Sequence, residues 1–417
     1  MFLQSRIVII GLTSRFSNPF SPKHSKLSKI DNMERNIKLL ALFNFFTDFK
    51  LYSGVLIIYF GLVTKSWTLA MSLFSITTIA NALFEIPTGV FSDKIGRKYT
   101  IVAGAISAVL YSIFYALGTS YWILAIGALL DGLSKAWYSG NNEALLYESI
   151  HETKRSSTFS HHLGTTSAFF QIALMVSSIL GGFIANSSFQ LLMWLSIIPQ
   201  VCCLIIAFFF IEPKNRERQQ NNIYAHIQTS LRNIIKEKKL QLTTAYDAIH
   251  FGIGEATFSF RSAFVATLWP VWAIGISKSL SYLGATISFW YSGRIFKRIS
   301  PGTILVIKDI YNRTIDFISY FFPSLYSPAL LSSTSLFYGV RQVAIKTIQQ
   351  NLYSKEERAT MQSVVSFIGN IIYSVFAVLI GALADTYSPR IALIIVTILL
   401  LIIIPISLRI RKGEQAS

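Results

Sequence analysis

The sequence predicts an all-α polytopic membrane protein, with twelve transmembrane helices in two six-helix, pseudo-symmetric halves. Three observations carry that fold class. Of 417 residues, 52% are hydrophobic and only 14% are charged, a balance too apolar for an ordinary soluble domain. Twelve runs approach the ~20 apolar residues that a helix needs to cross the hydrocarbon core, and one long polar stretch divides them evenly. The two sets also match weakly when the chain is shifted by about 200 positions, as an internal repeat would.

The elements follow in order. Residues 1–36 form an N-terminal extension. It holds Arg6, Arg15, Lys23, Lys26 and Lys29 with no acid before Asp31. That chemistry suits a transit peptide, and the plainer, favoured reading is translation that begins at Met33, directly before the first helix. The first half, 37–211, contains runs near 38–60, 69–90, 99–118, 121–146, 160–184 and 189–211. Residues 212–242, rich in Lys, Arg, Gln and Asn, read as a loop between the halves. The second half, 243–408, contains runs near 243–267, 273–293, 303–322, 326–350, 362–383 and 390–408, and 409–417 is a tail. The run at 303–322 is the weakest. In the repeat, Gly181-Gly182 falls on Gly381-Ala382, Arg97-Lys98 falls on Lys297-Arg298, and Gly140 lies one position off Gly339.

A formal charge of +17 would suit a nucleic-acid partner, but its distribution argues against one. With both termini in the cytoplasm, the inner side carries Arg35, Lys38, Lys94, Arg97, Lys98, Lys154, Arg155, Arg294, Lys297, Arg298, Lys355, Arg358, Arg409, Arg411, Lys412 and the basic central loop. The outer side shows little beyond Lys65, Lys278 and Arg390. This is the positive-inside pattern of a plasma or inner membrane protein, and it needs no nucleic acid. Cys202 and Cys203 are adjacent in an apolar run and read as small buried hydrophobes. The sequence has no metal-ligand spacing, no phosphate-binding Gly-rich loop and no convincing nucleophile with a base, so neither a cofactor nor an enzyme activity is expected.

The loop after the second run reads Gly89-Val90-Phe91-Ser92-Asp93-Lys94-Ile95-Gly96-Arg97-Lys98. Gly89 and Gly96 permit close helix approach and a tight turn. Asp93 offers an anion to a helix N-terminus or a cation. Arg97 and Lys98 can meet carboxylates or lipid phosphates. The pattern Gly-x-x-x-Asp-x-x-Gly-Arg-Lys resembles the signature loop of the major facilitator superfamily of transporters. Further likeness lies in Glu85–Gly89, in Ser139–Glu148, and in Glu357-Arg358-Ala359 followed by Gly381–Asp385, so it extends over residues 35–410. The resemblance implies the fold named above and transport by alternating access. It also implies a cytoplasmic gating loop in which Asp93 and Arg97 latch the two halves and Gly89 is the packing point. Two features depart from the superfamily's drug antiporters. Ala128 stands where they carry an Arg, although Lys135 supplies a cation one turn beyond Gly132, and Ser177-Ser178 replace a Gly-Pro pair ahead of Gly181-Gly182.

Charges at bilayer depth cost roughly 2.5–3.5 kcal/mol each, so they need partners or water. Asn44, Asp48 and Tyr52 share one face of the first run, and Asp131, Lys135, Tyr138 and Asn142 share one face of the fourth. Asp247, His250, Gly254, Thr257 and Arg261 mark the seventh, and Ser335, Tyr338, Gln342, Lys346 and Gln349, with Arg341 beside them, mark the tenth. In the superfamily these four helices line the central cavity. The candidate cavity and coupling residues are therefore Asp48, Asp131, Lys135, Asn142, Glu143, His250, Arg341 and Gln342. Asp131 and Lys135, at i and i+4, can satisfy each other as a helix ion pair. Asp48 and Glu143 are better placed to load and release a proton, while His250 reads as a proton site or as a helix contact. Trp137, Trp269 and Trp272 could stack on an organic solute, the last two also suiting an interfacial belt. In the ninth run, Lys308 is expected to reach the inner surface and Asp309 to pair with Arg313. The expected protein is a monomeric secondary transporter of a small organic solute, in contact with membrane lipids and coupled to protons. Proton-driven efflux leads, with import or non-transporting ligand sensing as alternatives.

Overall fold

The computed structural model describes residues 22–152, 159–213, 232, 234–353 and 358–415. Expectations for 1–21, for most of the loop between the halves, for Lys154, Arg155, Lys355 and Glu357, and for the side chain of Arg358 lie outside the described residues. Within them the chain is helical throughout, with no strand. A backbone in hydrocarbon must satisfy its own hydrogen bonds, and continuous apolar runs do so as helices.

In chain order the helices are α1 (Pro22–Asp48), α2 (Leu56–Thr64), α3 (Trp67–Ile95), α4 (Arg97–Leu117), α5 (Tyr121–Tyr138), α6 (Asn141–Glu152), α7 (Phe159–Ser187), α8 (Phe189–Leu195) and α9 (Ile197–Phe208). After the inter-half loop come α10 (Lys238–Ile249), α11 (Glu255–Val265), α12 (Val271–Phe296), α13 (Pro301–Phe321), α14 (Ser327–Ser333), α15 (Tyr338–Leu352), α16 (Arg358–Thr386), α17 (Pro389–Leu399) and α18 (Ile403–Gln415). Among the described residues, 6 stretches are long and apolar enough to cross a membrane on length and composition alone, α3, α4 and α16 among them. The other rods carry breaks or charges in mid-length.

Local signals explain the ends. Ser66, Ser188 and Ser388 each accept a hydrogen bond from the backbone N–H three residues on, capping α3, α8 and α17. Ser300 does the same for α13, where Pro301 opens the helix without losing a useful donor. Gly96 separates α3 from α4 at φ +116°, a conformation that a Cβ would penalise.

Each segment with a polar stripe is also interrupted. The backbone leaves the helix at Phe49–Lys50 and re-enters through a 3₁₀ turn at Leu51–Gly54. Gly140, at φ +70°, separates α5 from α6. A π turn at His250–Gly254 joins α10 to α11, and a 3₁₀ turn at Thr334–Phe337 joins α14 to α15. A milder 3₁₀ joint at Leu400–Ile402 links α17 to α18.

The two halves meet chiefly where α7 packs along α12 and α3 packs along α16. Small residues set the distance: a Cβ on Gly182 would lie 2.6 Å from the Trp272 carbonyl, and one on Gly381 would lie 2.5 Å from that of Trp67. A Cβ on Gly275 would run into the Ser178 carbonyl. Ser177-Ser178 thus preserve close packing as expected, and Ser178 hydrogen-bonds Ser53 at 2.9 Å. At this end Asp385 on the last turn of α16 caps α3. It accepts from Ser66 Oγ and Trp67 N (both 2.6 Å), Thr68 Oγ1 (2.7 Å) and Thr68 N (2.9 Å).

The hydrophobic core reports the same asymmetry. One cluster spans both halves at the Asp385 end, from Leu51, Tyr59 and Met71 to Phe260, Ile274 and Ile380. Towards the end carrying the 93–98 loop, the core splits. Leu40, Phe43, Ile101 and Phe210 form a cluster in the first half, and Tyr246, Leu305, Ile345 and Ile410 form another in the second. The halves are fused at one end and parted at the other.

The close approach at Gly275 leaves no room for a larger residue. Gly275→Val is expected to destabilise the protein by about 1–3 kcal/mol through overpacking. Gly293→Ala on the same helix, where a Cβ meets nothing within 4 Å, should leave it unchanged or slightly more stable. Thermal unfolding of the two variants in detergent distinguishes them.

Candidate functional site

The structure holds two chambers, one walled by the first half and one bordered by both. The first, of about 500 Å³, is walled by Asn44, Asp48 and Lys50 of the first segment together with Asp131, Lys135, Asn142 and Glu143 of the fourth. Lys135 Nζ lies 3.0 Å from Asp131 Oδ2, and Lys50 Nζ lies 3.9 Å from Asp131 Oδ1 and 5.6 Å from the centre of the Tyr111 ring. One carboxylate therefore serves two ammonium groups. Asp48 has no hydrogen-bond or ion-pair partner among the described residues, although Lys50, Lys135 and Asp131 all act on it electrostatically. Asn142 donates to Asn44 at 3.3 Å, and Glu143 is solvent-exposed at the chamber's mouth.

Sequence reasoning missed Lys50. In an unbroken helix it would point away from the Asn44–Asp48–Tyr52 stripe, two residues from Asp48. The extended backbone at Lys50 (φ −95°, ψ 97°) carries its side chain round into the chamber. An Asp and a Lys two positions apart in an apolar run were the only signal.

The second chamber, of about 290 Å³, belongs mostly to the second half, and Phe170 borders both. His250, Glu255, Arg261, Lys308, Asn312 and Arg313 stand on its wall, with Phe258, Tyr282 and Tyr338. His250 stacks on Tyr246 with ring centres 6.2 Å apart. Gln342 is half-buried and bonds Tyr338 rather than lining the chamber.

Several expectations need correction. Arg341 is not a cavity residue: its side chain is 1% exposed and both terminal nitrogens reach Asp247 Oδ1, at 3.1 and 3.2 Å. Gln349 donates to the other carboxylate oxygen at 3.3 Å. Lys308 does not reach the surface but is 2% exposed and pairs with Asp309 at 2.9 Å. Arg313 pairs with Asp316 rather than Asp309, because Lys308 and the Tyr246 hydroxyl already occupy Asp309. Lys278 is not an outer-surface charge. It is buried inside α12, donates to the Phe258 carbonyl at 3.0 Å and sits 3.4 Å from the centre of that ring. Trp137, Trp269 and Trp272 line neither chamber.

In the 93–98 loop, Arg97 gathers the partners. It lies 3.1 Å from Asp93, 3.2 Å from Glu148, 2.8 Å from Ser92 Oγ and 3.2 Å from Asn141 Oδ1. Glu212 accepts from the backbone N–H of Arg97 and Lys98 at 3.0 and 2.8 Å, so a carboxylate caps the N-terminus of α4. These partners belong to the first half, with Glu212 at the start of the loop that follows it. Gly89 faces open space, where a Cβ would meet nothing within 4 Å, so the close packing expected there is not made in this conformation. Glu148 and Glu212 were not foreseen as partners because 51 and 115 positions separate them from Arg97.

Comparison with known proteins follows the geometry. The profile of the Major Facilitator Superfamily matches residues 39–340. The uncharacterized transporter BU466 of Buchnera aphidicola subsp. Acyrthosiphon pisum is 27% identical over 161 residues, 38% of this chain and 40% of that protein. The class B tetracycline resistance protein of Escherichia coli is 27% identical over 166 residues, 36% of this chain and 39% of that protein. The matches thus span about two fifths of those relatives' length. A solved structure of a variant of the nucleoside transporter NupG aligns at a TM-score of 0.77 and 12% identity, covering 91% of this chain and 100% of that one. That likeness concerns the fold alone.

The Arg341–Asp247 pair separates structural charge from cavity charge. Arg341→Leu leaves a buried carboxylate without its counter-ion and should cost about 3–5 kcal/mol. Arg341→Leu with Asp247→Leu should recover most of that loss. A double-mutant cycle read by thermal unfolding checks both.

Proposed function

Because the chain belongs to the Major Facilitator Superfamily, whose profile spans residues 39–340, we propose that it moves a small organic solute across the membrane by alternating access, exporting it against proton entry. The observation that carries the reading is the one-ended core. The halves share a hydrophobic cluster at the Asp385 end and keep separate clusters at the other, with the second chamber bordered by both halves and the first walled by the first half. Such a vestibule exposes a solute to one face at a time.

The excess of Lys and Arg around the 93–98 loop supports a cytoplasmic position for that end, and on this reading the conformation faces inward. Asp93 and Arg97 then hold their own half together at the open end, with no partner across the cleft among the described residues. Asp48 is the proton carrier on this reading. It stands inside the first chamber with no ion-pair partner among the described residues, whereas Glu143 is exposed at the mouth, and the lysines beside Asp48 provide the charge that its proton exchange would rebalance. The likeness to a tetracycline resistance protein supports an organic solute and outward transport. No nucleotide-binding loop occurs in the sequence, which fits secondary transport coupled to an ion gradient, or uniport.

Inside-out vesicles with a respiration-driven pH gradient, reported by a quenched dye, test this directly. A panel of cationic, anionic and neutral organic compounds is added to wild type, Asp48→Asn and Asp93→Asn. At least one compound should collapse the gradient with wild type only. Asp48→Asn should abolish proton movement while keeping binding, and Asp93→Asn should slow flux at least tenfold. Uptake in the opposite direction would favour import, and binding without flux in wild type would favour sensing.

A further inference from the structure

The second chamber sets two guanidinium groups of its wall on one buried carboxylate. The interior of the second half contains Arg261, Lys278, Lys308, Arg313 and Arg341 against Asp247, Glu255, Asp309 and Asp316. Arg341 is matched by Asp247, and Lys308 by Asp309. Asp316, fully buried, must serve two guanidinium groups, Arg261 at 3.2 Å and Arg313 at 2.9 Å. Glu255 lines the same chamber without closing an ion pair on either arginine among the described residues. Each guanidinium also keeps an unused donor, since Arg261 Nε and Arg313 Nη1 are buried without a hydrogen-bond partner. The first chamber differs, because three acids, Asp48, Asp131 and Glu143, there face two lysines, Lys50 and Lys135.

A buried excess cation with unmet donors costs energy until an anion arrives. A guanidinium fork presents paired N–H groups at the spacing of carboxylate or phosphate oxygens. Phe258, Tyr282 and Tyr338 add an apolar, aromatic wall to the same space, the usual lining of a small-molecule pocket. We propose that the second chamber seats an anionic group, carboxylate or phosphate, of an organic solute with an apolar body, received by Arg313 and Arg261. Asp316 is their positioning residue. It holds the two guanidinium planes towards one space and neutralises only one of them. This assignment rests on the reading of the chambers as the solute's seat. It narrows the substrate class to organic anions, whether soluble or carried as a lipid headgroup.

The test uses the full chain in nanodiscs of phosphatidylcholine, at constant ionic strength, with unfolding temperature as the readout. The probes are benzoate, its uncharged amide benzamide, and inorganic phosphate. Phosphatidylglycerol in the disc forms a lipid arm. Benzoate or phosphate should raise the unfolding temperature saturably by about 2 °C or more, and benzamide should not. Arg313→Gln should abolish the rise. Arg313→Lys, which keeps the charge and the pairing with Asp316 but loses the fork, should weaken apparent affinity about tenfold and guards against a folding defect in the first variant. A rise confined to phosphatidylglycerol discs, lost in Arg313→Gln, supports the same site and identifies the anion as lipid. No stabilisation by any of these anions, or a rise that persists in Arg313→Gln, overturns the proposal. Flux of a neutral solute without any anion effect would leave the transport reading standing and remove this one. Anion stabilisation without flux would do the reverse.

Discussion

Asp385 ends α16 in one half and accepts four hydrogen bonds from the first turn of α3 in the other. The carboxylate meets the unsatisfied N–H groups of a helix N-terminus, where an anion is best placed. Around this staple the backbones of the two halves nearly touch, at Gly381 on Trp67 and at Gly182 on Gly275. The rest of the architecture follows from it. Two rigid bundles joined at one end must separate at the other, and separation creates the chambers. The seal combines these hydrogen bonds and small-residue contacts with aromatic contacts between the halves, Trp67 on Phe260 and Phe183 on Trp272.

The ionic interior follows a second constraint. Charges buried at bilayer depth persist only with partners, and the partners sort into two kinds. Arg341 with Asp247 is a closed pair that ties α15 to α10, and Lys308 with Asp309 is a closed pair within α13. Asp131 and Asp316 are each shared by two cations, which leaves Asp48 unpaired in one chamber and guanidinium donors unmet in the other. Incomplete pairing, rather than charge itself, marks the places where a proton or solute can enter the balance.

Much of the fold was legible in the sequence because hydrophobic run length is a strong signal. The helices near 69–90, 99–118 and 362–383 lie within α3, α4 and α16, since a span in lipid has few alternatives. The loop at 93–98 was legible because Gly96 must adopt a positive φ. The sites were less legible, for a physical reason in each case. Lys50 entered the first chamber only through a broken helix, which a 3.6-residue period cannot foresee. Lys278 looked like a surface charge because a single cation in an apolar run carries no sign of the ring and carbonyl that receive it. The crossed pairing in α13 depended on Tyr246 and Arg261 from other helices. Stripe-bearing segments were readable one by one, whereas the unmet charge emerges only when four of them face one space.

The central claim is that closure at the Asp385 end and separation at the 93–98 end are one event. Pulsed electron–electron distance measurements test it, with spin labels at exposed Trp122 and Tyr326 for the sealed end and at exposed Tyr99 and Arg298 for the open end. Wild type is compared with Asp385→Ala, which removes the staple while leaving both chambers intact. The expected result is a new population in Asp385→Ala in which the first distance lengthens and the second shortens together. Lengthening at the sealed end with no shortening at the other, or no new population at all, would contradict it.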